Sequence, residues 1–255
     1  MTEQRNYQPG FSQINSAMHD SHGRRKKAVT MVAVCKDVFN TELSELGVLD
    51  VGGSTGHIDD YLANFFKSVR GIDIDQEAVE NASQSFQKDN LEFNVGDAME
   101  IDASPSSFDL VICSQVYEHV PDARKMMSEI YRVLKPGGYC YFAASNRLMW
   151  NEPHYNLPLL SVIPRPLAHY YVRKMGKADF YHELHFSYWG LKKLVNQFEL
   201  TDYTKKIIND PECYHADYML KPGTLKHRVA KVISKFCFWL TPGYIWMLRK
   251  PVNDK

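Results

Sequence analysis

Asp50, Gly52, Gly53, Ser54, Gly56 and His57 fall within twelve residues, GVLDVGGSTGHI, 47–58. An apolar run ends on an acid, and small residues follow before a helical pattern begins. Glycines at such a turn let a ligand approach the main chain and permit angles that side chains forbid. The N-terminus of the helix that follows favours electron-rich groups. The construction points to a small ligand held against backbone beyond a strand's carboxyl end. A phosphate-cradling P-loop needs Gly-Lys-Ser/Thr at the helix start, but Gly56 precedes His57 with no lysine near. The dinucleotide fingerprint, counted from Gly52, needs glycine where Ser54 and His57 stand. Asp73 alone, an acid about 20 residues past the glycines, would suit a nicotinamide dinucleotide equally well, so an NAD(P)-dependent oxidoreductase stays open on that residue.

Proton transfer near neutral pH falls first to histidine. His119 in YEHVPD and His154 in NEPHYNLP are the two candidate general bases, and each suits a structural role as well. His57 could face the ligand or be a polar residue near a helix start. The run YHELHF, 181–186, is not the HExxH of zinc enzymes. His182 and His185 stand three apart with no other ligand cluster evident, so no metal is expected. The five cysteines contain no CxxC pair and read as reduced, packed thiols.

The elements that would position these residues alternate. Strands are expected at 46–51, 68–74, 91–97, 108–114, 139–145, near 200–208 and at 243–250. Helices are expected from Arg24 to about Asn40, over 57–66, 75–86, about 122–134 and 187–198. Asp75 is read as the cap of its helix, and KPGG, 135–138, as the end of the fourth. Alternating apolar strands and helices imply a parallel sheet covered on both faces. The expected fold is α/β: a Rossmann-like, seven-stranded, mostly parallel sheet with a cap inserted after the fifth strand. The cap, 147–186, carries Pro153, Pro158, Pro164 and Pro166 among aromatics such as Trp150, Tyr155, Tyr170 and Phe180. The domain reading is a flexible arm at 1–23, a ligand-binding core at 24–146, the cap, and a completion of the core at 187–255.

The glycine stretch resembles the first motif of class I S-adenosylmethionine-dependent methyltransferases, an acid-x-Gly-x-Gly-x-Gly turn. It stands here as Asp50, Gly52, Ser54 and Gly56, with Gly53 inside it. Ser54 departs from the middle glycine, and an adjusted turn is expected. VRGIDID is similar to the family's second motif; Asp73 would accept from the ribose hydroxyls, with Ile74 beside it. NVGDAME is similar to the third, with Asp97 accepting from the adenine amino group and Ala98 donating its N–H. The block from SFDLVICSQVYEHVPD to YFAASN resembles the subgroup that includes ubiquinone-type methyltransferases, and Gln115 would line the methionine end. The resemblance covers roughly residues 45–146. It implies S-adenosyl-L-methionine as cofactor and methyl transfer by in-line displacement to a small-molecule, glycan or lipid-linked acceptor. A domain that binds the cofactor without catalysis is the other reading of the same motifs.

Lys plus Arg and Asp plus Glu both number 30 in the 255 residues. That balance makes a polyanion binder unlikely on charge, and no nucleic-acid partner is expected. No apolar run reaches the roughly 18 residues needed to span a bilayer, and a cytoplasmic protein is expected. The tail is distinctive: from Tyr218 to Asn253 there is no acid, while Lys221, Lys226, Arg228, Lys231, Lys235, Arg249 and Lys250 lie there. In an expected amphipathic helix at about 223–241, Val229, Val232, Ile233, Phe236, Cys237 and Leu240 form one face. This is the pattern of a helix in a membrane interface, and also of one packed on its own domain. Peripheral contact with an anionic membrane is the sharper expectation.

Overall fold

A computed structural model describes residues 20–252 together with Gly10 and Ser12. The rest of the expected N-terminal arm lies outside the described residues. The strands are β1 (Gly47–Val51), β2 (Ser68–Asp73), β3 (Leu91–Val95), β4 (Phe108–Ser114), β5 (Leu134–Ser145), β6 (Asn151–Glu152), β7 (Leu157–Pro158), β8 (Glu199–Asp202) and β9 (Gly243–Arg249). The helices are α1 (Ser21–Val38), α2 (His57–Leu62), α3 (Gln76–Ser85), α4 (Ala123–Val133), α5 (Arg165–Lys174), α6 (Tyr188–Leu194), α7 (Tyr203–Asn209) and α8 (Leu225–Phe236).

Seven strands make one sheet, ordered β3-β2-β1-β4-β5-β9-β8. Strands β1 to β5 pair in parallel, and β9 runs antiparallel to β5 and β8. This is the seven-stranded, mostly parallel, Rossmann-like fold that the alternating pattern implied. The centre of β4, Leu110 to Cys113, is wholly buried because helices cover both faces. Leu110 and Ile112 pack with Ala28, Met31 and Val32 of α1. Val111 and Cys113 pack on the other face with Met126, Met127 and Ile130 of α4. Each of those large α4 side chains contributes about 1.5–3 kcal/mol through burial. Asp122 starts α4 by accepting from the N–H groups of Arg124 and Lys125.

Two local expectations are corrected. KPGG does follow the helix, but Leu134 is already extended and 135–138 lie inside β5. The register shifts between the pairs Phe108–Leu134 and Leu110–Tyr139, so the extra residues bulge out of the ladder. The strand near 200–208 is only β8; from Tyr203 the chain turns into α7, capped by Asp202 through the Lys205 N–H. Its apolar Tyr203, Ile207 and Ile208 are buried at helical spacing.

Residues 147–186 form the β6–β7 hairpin and α5, with a small core of Leu157, Leu160, Ala168, Val172 and Tyr181. Both ends are tied to the sheet's carboxyl edge. Arg147 N–H donates to Phe186 O at 2.9 Å, and Leu184 N–H to Glu118 O at 3.0 Å.

Candidate functional site

The parallel strands deliver their carboxyl ends to one cleft. Asp50, Gly52, Ser54, Asp73, Ile74, Asp97, Ala98 and Gln115 line it, together with His119 and His154. Two residues expected there do not line it. Gly53 sits under the turn, where an added Cβ would approach Asp59 Oδ2 at 3.0 Å; Gly56 packs so close to Phe93 that a Cβ would stand 2.7 Å from its ring. Their smallness serves helix–sheet packing instead. The His57 ring meets Phe86 edge-on at 5.2 Å and is not part of the cleft wall.

The turn is built by its backbone. The N–H groups of Gly52 and Gly53 both donate to Ile72 O, at 2.8 and 3.1 Å. Gly52 has φ +79°, and a Cβ there would strike Val116 Cγ2 at 2.6 Å. Ser54 takes φ 52°, the left-handed region that glycine occupies readily. The turn is therefore kept, with the serine carrying the strain. Its N–H donates to Asp73 Oδ2 at 2.8 Å, while Asp75 N–H donates to Asp73 Oδ1 at 2.9 Å. Each Asp73 oxygen is thus fixed by one backbone donor and keeps acceptor capacity for a hydroxyl. Burial raises the Asp73 carboxyl, and those two N–H donors pull against it. Asp75 is committed elsewhere: Oδ1 caps α3 through Ala78 N–H, and Oδ2 accepts from Ser12 N–H at 3.1 Å and Ser12 Oγ at 2.6 Å.

Asp50 and Asp59 are both buried. Asp59 finds no N–H or O–H donor for either oxygen. Burial first, then the Asp50 charge, holds its carboxyl well above the usual range. Burial pushes Asp50 up to about 7, against the Asp59 hydrogen bond and the Arg24 charge that pull it down. Arg24 is itself buried in the cleft wall, in the field of Asp50, Asp59 and Asp73. Taken alone, the run RRKK, 24–27, reads as a solvated helix start, which hides this residue. Arg24 and Ala28 are four apart on α1 and both buried, so the apolar stripe carries Arg24 inward.

Past β4, the segment QVYEHV (115–120) forms the opposite wall. Gln115 has φ 60°; its N–H donates to Ala143 O at 2.8 Å, and its Oε1 accepts from Ser145 Oγ at 2.5 Å. Tyr117 OH donates to Ser145 O at 2.5 Å and accepts from Phe186 N–H at 3.2 Å, which ties this wall to the cap. His119 and His154 meet edge-on, with ring centroids 4.8 Å apart. His119 Nδ1 lies 3.9 Å from Glu183 Oε1, and His154 Nδ1 lies 2.5 Å from Glu152 Oε1. Burial would lower His154, but the Glu152 hydrogen bond and charge carry it above its ordinary value. Sequence reading missed Glu152, Glu183 and Glu118, which are all buried here. An acid inside an aromatic-rich run, as in NEPHYN, was the one available signal.

The cleft encloses ≈ 1130 Å³ of empty space, open mouth included. Apolar Ile58, Ile72, Ile74, Ala98, Val116 and Val120 alternate with the carboxylates around it. Flat apolar walls beside a carboxylate with spare lone pairs suit a nucleoside, and the bare Gly52 turn suits a chain threaded past it.

Residues 49–142 match the model of a family described as a methyltransferase domain. A ubiquinone biosynthesis O-methyltransferase from Thiobacillus denitrificans is 30% identical over 141 residues, 52% of this chain and 59% of that protein. Another from Paraburkholderia phymatum is 34% identical over 103 residues, 39% of this chain and 44% of that protein. The chain thus spans about half the length of these curated relatives. A SAM-dependent methyltransferase structure from Methanosarcina mazei aligns with TM-score 0.55 at 20% identity, covering 86% of this chain and 98% of that one. The [4+2]-cyclase SpnF aligns with TM-score 0.53 at 17% identity, over 88% and 80% of the two chains. Likeness at this level shows the shared fold; the reaction has to be argued from the site.

Proposed function

We propose, from the methyltransferase domain that residues 49–142 carry, that the chain is an S-adenosylmethionine-dependent methyltransferase acting on a hydroxyl of a small-molecule acceptor. The observation that supports this most is the Asp73 carboxylate, held by the Ser54 and Asp75 N–H groups at the edge of an apolar-walled cleft. Asp73 would hold the ribose hydroxyls, Asp97 and Ala98 the adenine edge, and Asp50, Gly52, Ser54 and Gln115 the methionine end. Arg24, a buried cation in the cleft wall, would meet the cofactor's carboxylate. When bound, the cofactor supplies an electrophilic methyl group on a sulfonium.

The chain's own contribution is alignment. A cleft that fixes acceptor and cofactor side by side can supply roughly 7–11 kcal/mol of the barrier through orientation. Gln115 and Val116 stand on the wall between the cofactor end and the imidazoles, so the acceptor lies beside His119. His119 accepts the hydroxyl proton, with Glu183 Oε1 3.9 Å from its Nδ1 to stabilise the resulting imidazolium. His154 orients His119 by its edge-on ring contact and is itself held by Glu152. An oxygen acceptor is supported by the relatives, which are named O-methyltransferases. Glycan and lipid-linked hydroxyls fit the same chemistry. The test is calorimetry with S-adenosylmethionine and NAD in parallel, followed by S-adenosylhomocysteine release over a panel of phenolic, glycan and lipid-linked hydroxyls. Binding of NAD alone overturns the cofactor reading; cofactor binding without turnover on any hydroxyl leaves the non-catalytic reading in its place.

A second reading concerns location: a cytoplasmic protein that touches an anionic membrane through α8. None of the helices among the described residues is long and apolar enough to cross a bilayer. The helix buries His227 and Ser234 and turns its apolar stripe outward: Leu225, Val229, Val232 and Phe236 are 77%, 47%, 58% and 70% exposed. That stripe differs from the face expected from the sequence, where Ile233 and Cys237 were included; both are half-buried. Lys226, Arg228, Lys231 and Lys235 flank it, and exposed Trp189 and Trp239 pair beside it at 5.6 Å. Exposed apolar residues, a basic collar and interfacial tryptophans together suit an anionic headgroup layer. Sedimentation with anionic and with zwitterionic vesicles tests it. Equal recovery in both supernatants at low salt refutes it.

A further inference from the structure

We propose that Glu152, His154 and His185 form a binding site for one divalent transition-metal ion beside the acceptor end of the cleft. Its ligands come from two segments about 30 residues apart, so the spacing within YHELHF alone did not reveal it. The β6–β7 hairpin presents Glu152 and His154, and the returning end of the cap presents His185. Glu152 Oε1 is the focus: His154 Nδ1 lies 2.5 Å from it and His185 Nε2 3.3 Å. Ligand atoms of the three residues all lie within 4.8 Å of one another. Glu152 is oriented from behind, since its other oxygen accepts Tyr155 N–H at 3.0 Å. Such outer contacts are what fix a ligating carboxylate.

The surroundings point the same way. Glu152 and His185 are wholly buried, and Glu118 and Glu183 are buried next to them. Concentrating carboxylates away from water is costly unless cations neutralise them. Imidazoles supply part of this: His154 Nδ1 and His185 Nε2 both meet Glu152 Oε1. The polar groups are nevertheless not closed among themselves. His185 Nδ1, Glu183 Oε2 and Tyr181 OH are buried without a hydrogen-bond partner. A doubly charged ion among them lowers the cost of the carboxylates directly. Two imidazoles and one carboxylate suit zinc, cobalt, iron or manganese rather than calcium or magnesium. Three protein ligands also leave a coordination position open, as in catalytic zinc sites. His154 lines the cleft, so the open position borders the acceptor. A second grouping, Glu118, His119 and His154, shares that histidine. It is not the site proposed, because Nδ1 of His154 is already turned to Glu152.

The test needs neither cofactor nor turnover. The full chain is stripped with a chelator and titrated with Co²⁺, followed by visible absorption, and with Zn²⁺ against a chromophoric chelator. One equivalent of Co²⁺ with d–d bands is expected. Glu152→Gln and His185→Ala are each expected to weaken Zn²⁺ by at least ~10-fold. His182→Ala, an exposed position, and His119→Ala are expected to leave it unchanged. Thermal unfolding checks that each variant is folded. Failure of the wild-type chain to take up more than ~0.1 equivalent, or unchanged Zn²⁺ affinity in folded Glu152→Gln, overturns the proposal. Loss of affinity in His119→Ala with retention in Glu152→Gln overturns it too, because the ion would then sit on the other grouping. The methyltransferase reading stands or falls separately, on cofactor binding.

Discussion

Replacing Asp73 by asparagine separates what this residue does for the fold from what it does for the cofactor. In the native chain each carboxylate oxygen accepts one backbone donor, Ser54 N–H at 2.8 Å and Asp75 N–H at 2.9 Å. Asparagine has one carbonyl oxygen and one amide nitrogen. Whichever way it turns, its NH₂ meets one of those backbone donors, and that donor loses its acceptor. An unsatisfied buried donor costs about 1–3 kcal/mol, which appears in the unfolding free energy of the ligand-free protein. The ribose loses a hydrogen bond to a charged acceptor, about 1.5–3 kcal/mol, equivalent to roughly 10- to 150-fold in dissociation constant. Isothermal calorimetry with S-adenosylmethionine reads the second quantity and urea unfolding the first. Asp75→Asn is the control: asparagine remains a good N-cap, and Asp75 has its oxygens on Ala78 and Ser12, so cofactor affinity is expected to change by less than ~3-fold. A folded Asp73→Asn protein with wild-type affinity, or an equal loss in Asp75→Asn, would falsify the assignment of the ribose to Asp73.

Three further outcomes follow from the same geometry. Gly52→Ala places a methyl 2.6 Å from Val116 Cγ2 at φ +79°; it is expected to cost about 1–3 kcal/mol as overpacking and to abolish measurable cofactor binding, and retention of binding would show that this turn is not the cofactor's contact. Ser54→Gly relieves a left-handed serine at φ 52°, worth about 1–2 kcal/mol, against roughly 0.5–1 kcal/mol of added glycine entropy; a rise of about 1–3 °C in melting temperature is expected, and a fall would mean that the hydroxyl contributes more than the strain costs. The Asp50–Asp59 pair sets a pH dependence: with folded values raised, Asp50 to about 7, the native state holds more protons than the unfolded one. Stability from this pair is therefore full below the ordinary carboxylate value and falls as pH rises towards about 7–8. Asp59→Asn supplies the donor without a titrating proton, so its melting temperature is expected to vary less between about pH 5 and pH 8; a slope equal to wild type would place the titration elsewhere.

The sheet and the cofactor half of the site were legible in the sequence for the same reason. Strands β1 to β3 are short runs that end in or run into small or acidic residues, so periodicity and turn chemistry coincide at Asp50, Asp73 and Asp97. The departures arise where a local signal met a tertiary one. KPGG is a sound helix stop, yet the sheet absorbs it as a bulge because Leu134 pairs with Phe108. The run RRKK reads as solvated until α1 packs on the sheet and carries Arg24 into the field of three aspartates. The same holds for Gly53 and Gly56: their spacing marked a ligand turn, but their neighbours are Asp59, Phe93 and Ala82, so helix packing explains them.

At the other end of the cleft only His119 and His154 were legible, and the acids around them were not, because no local pattern encodes their gathering. His119, Glu152, His154, Glu183 and His185 come from three segments, and the bonds that gather them are backbone bonds: Leu184 N–H to Glu118 O, Phe186 N–H to Tyr117 OH, Tyr155 N–H to Glu152 Oε2. Peptide donors are available at nearly every residue, so the sequence does not mark which of them the cap will use. What it does mark is cost. Glutamate is rarely buried unless paired; three glutamates are buried in one small region, where burial raises the Glu118 carboxyl and imidazoles meet Glu152 and Glu183. His154 of NEPHYN and His185 of YHELHF are then not independent features of two loops but the partners of one cluster. His154 meets the His119 ring at 4.8 Å, so under the proposed function the cap would be part of the reaction space and not only a cover over it.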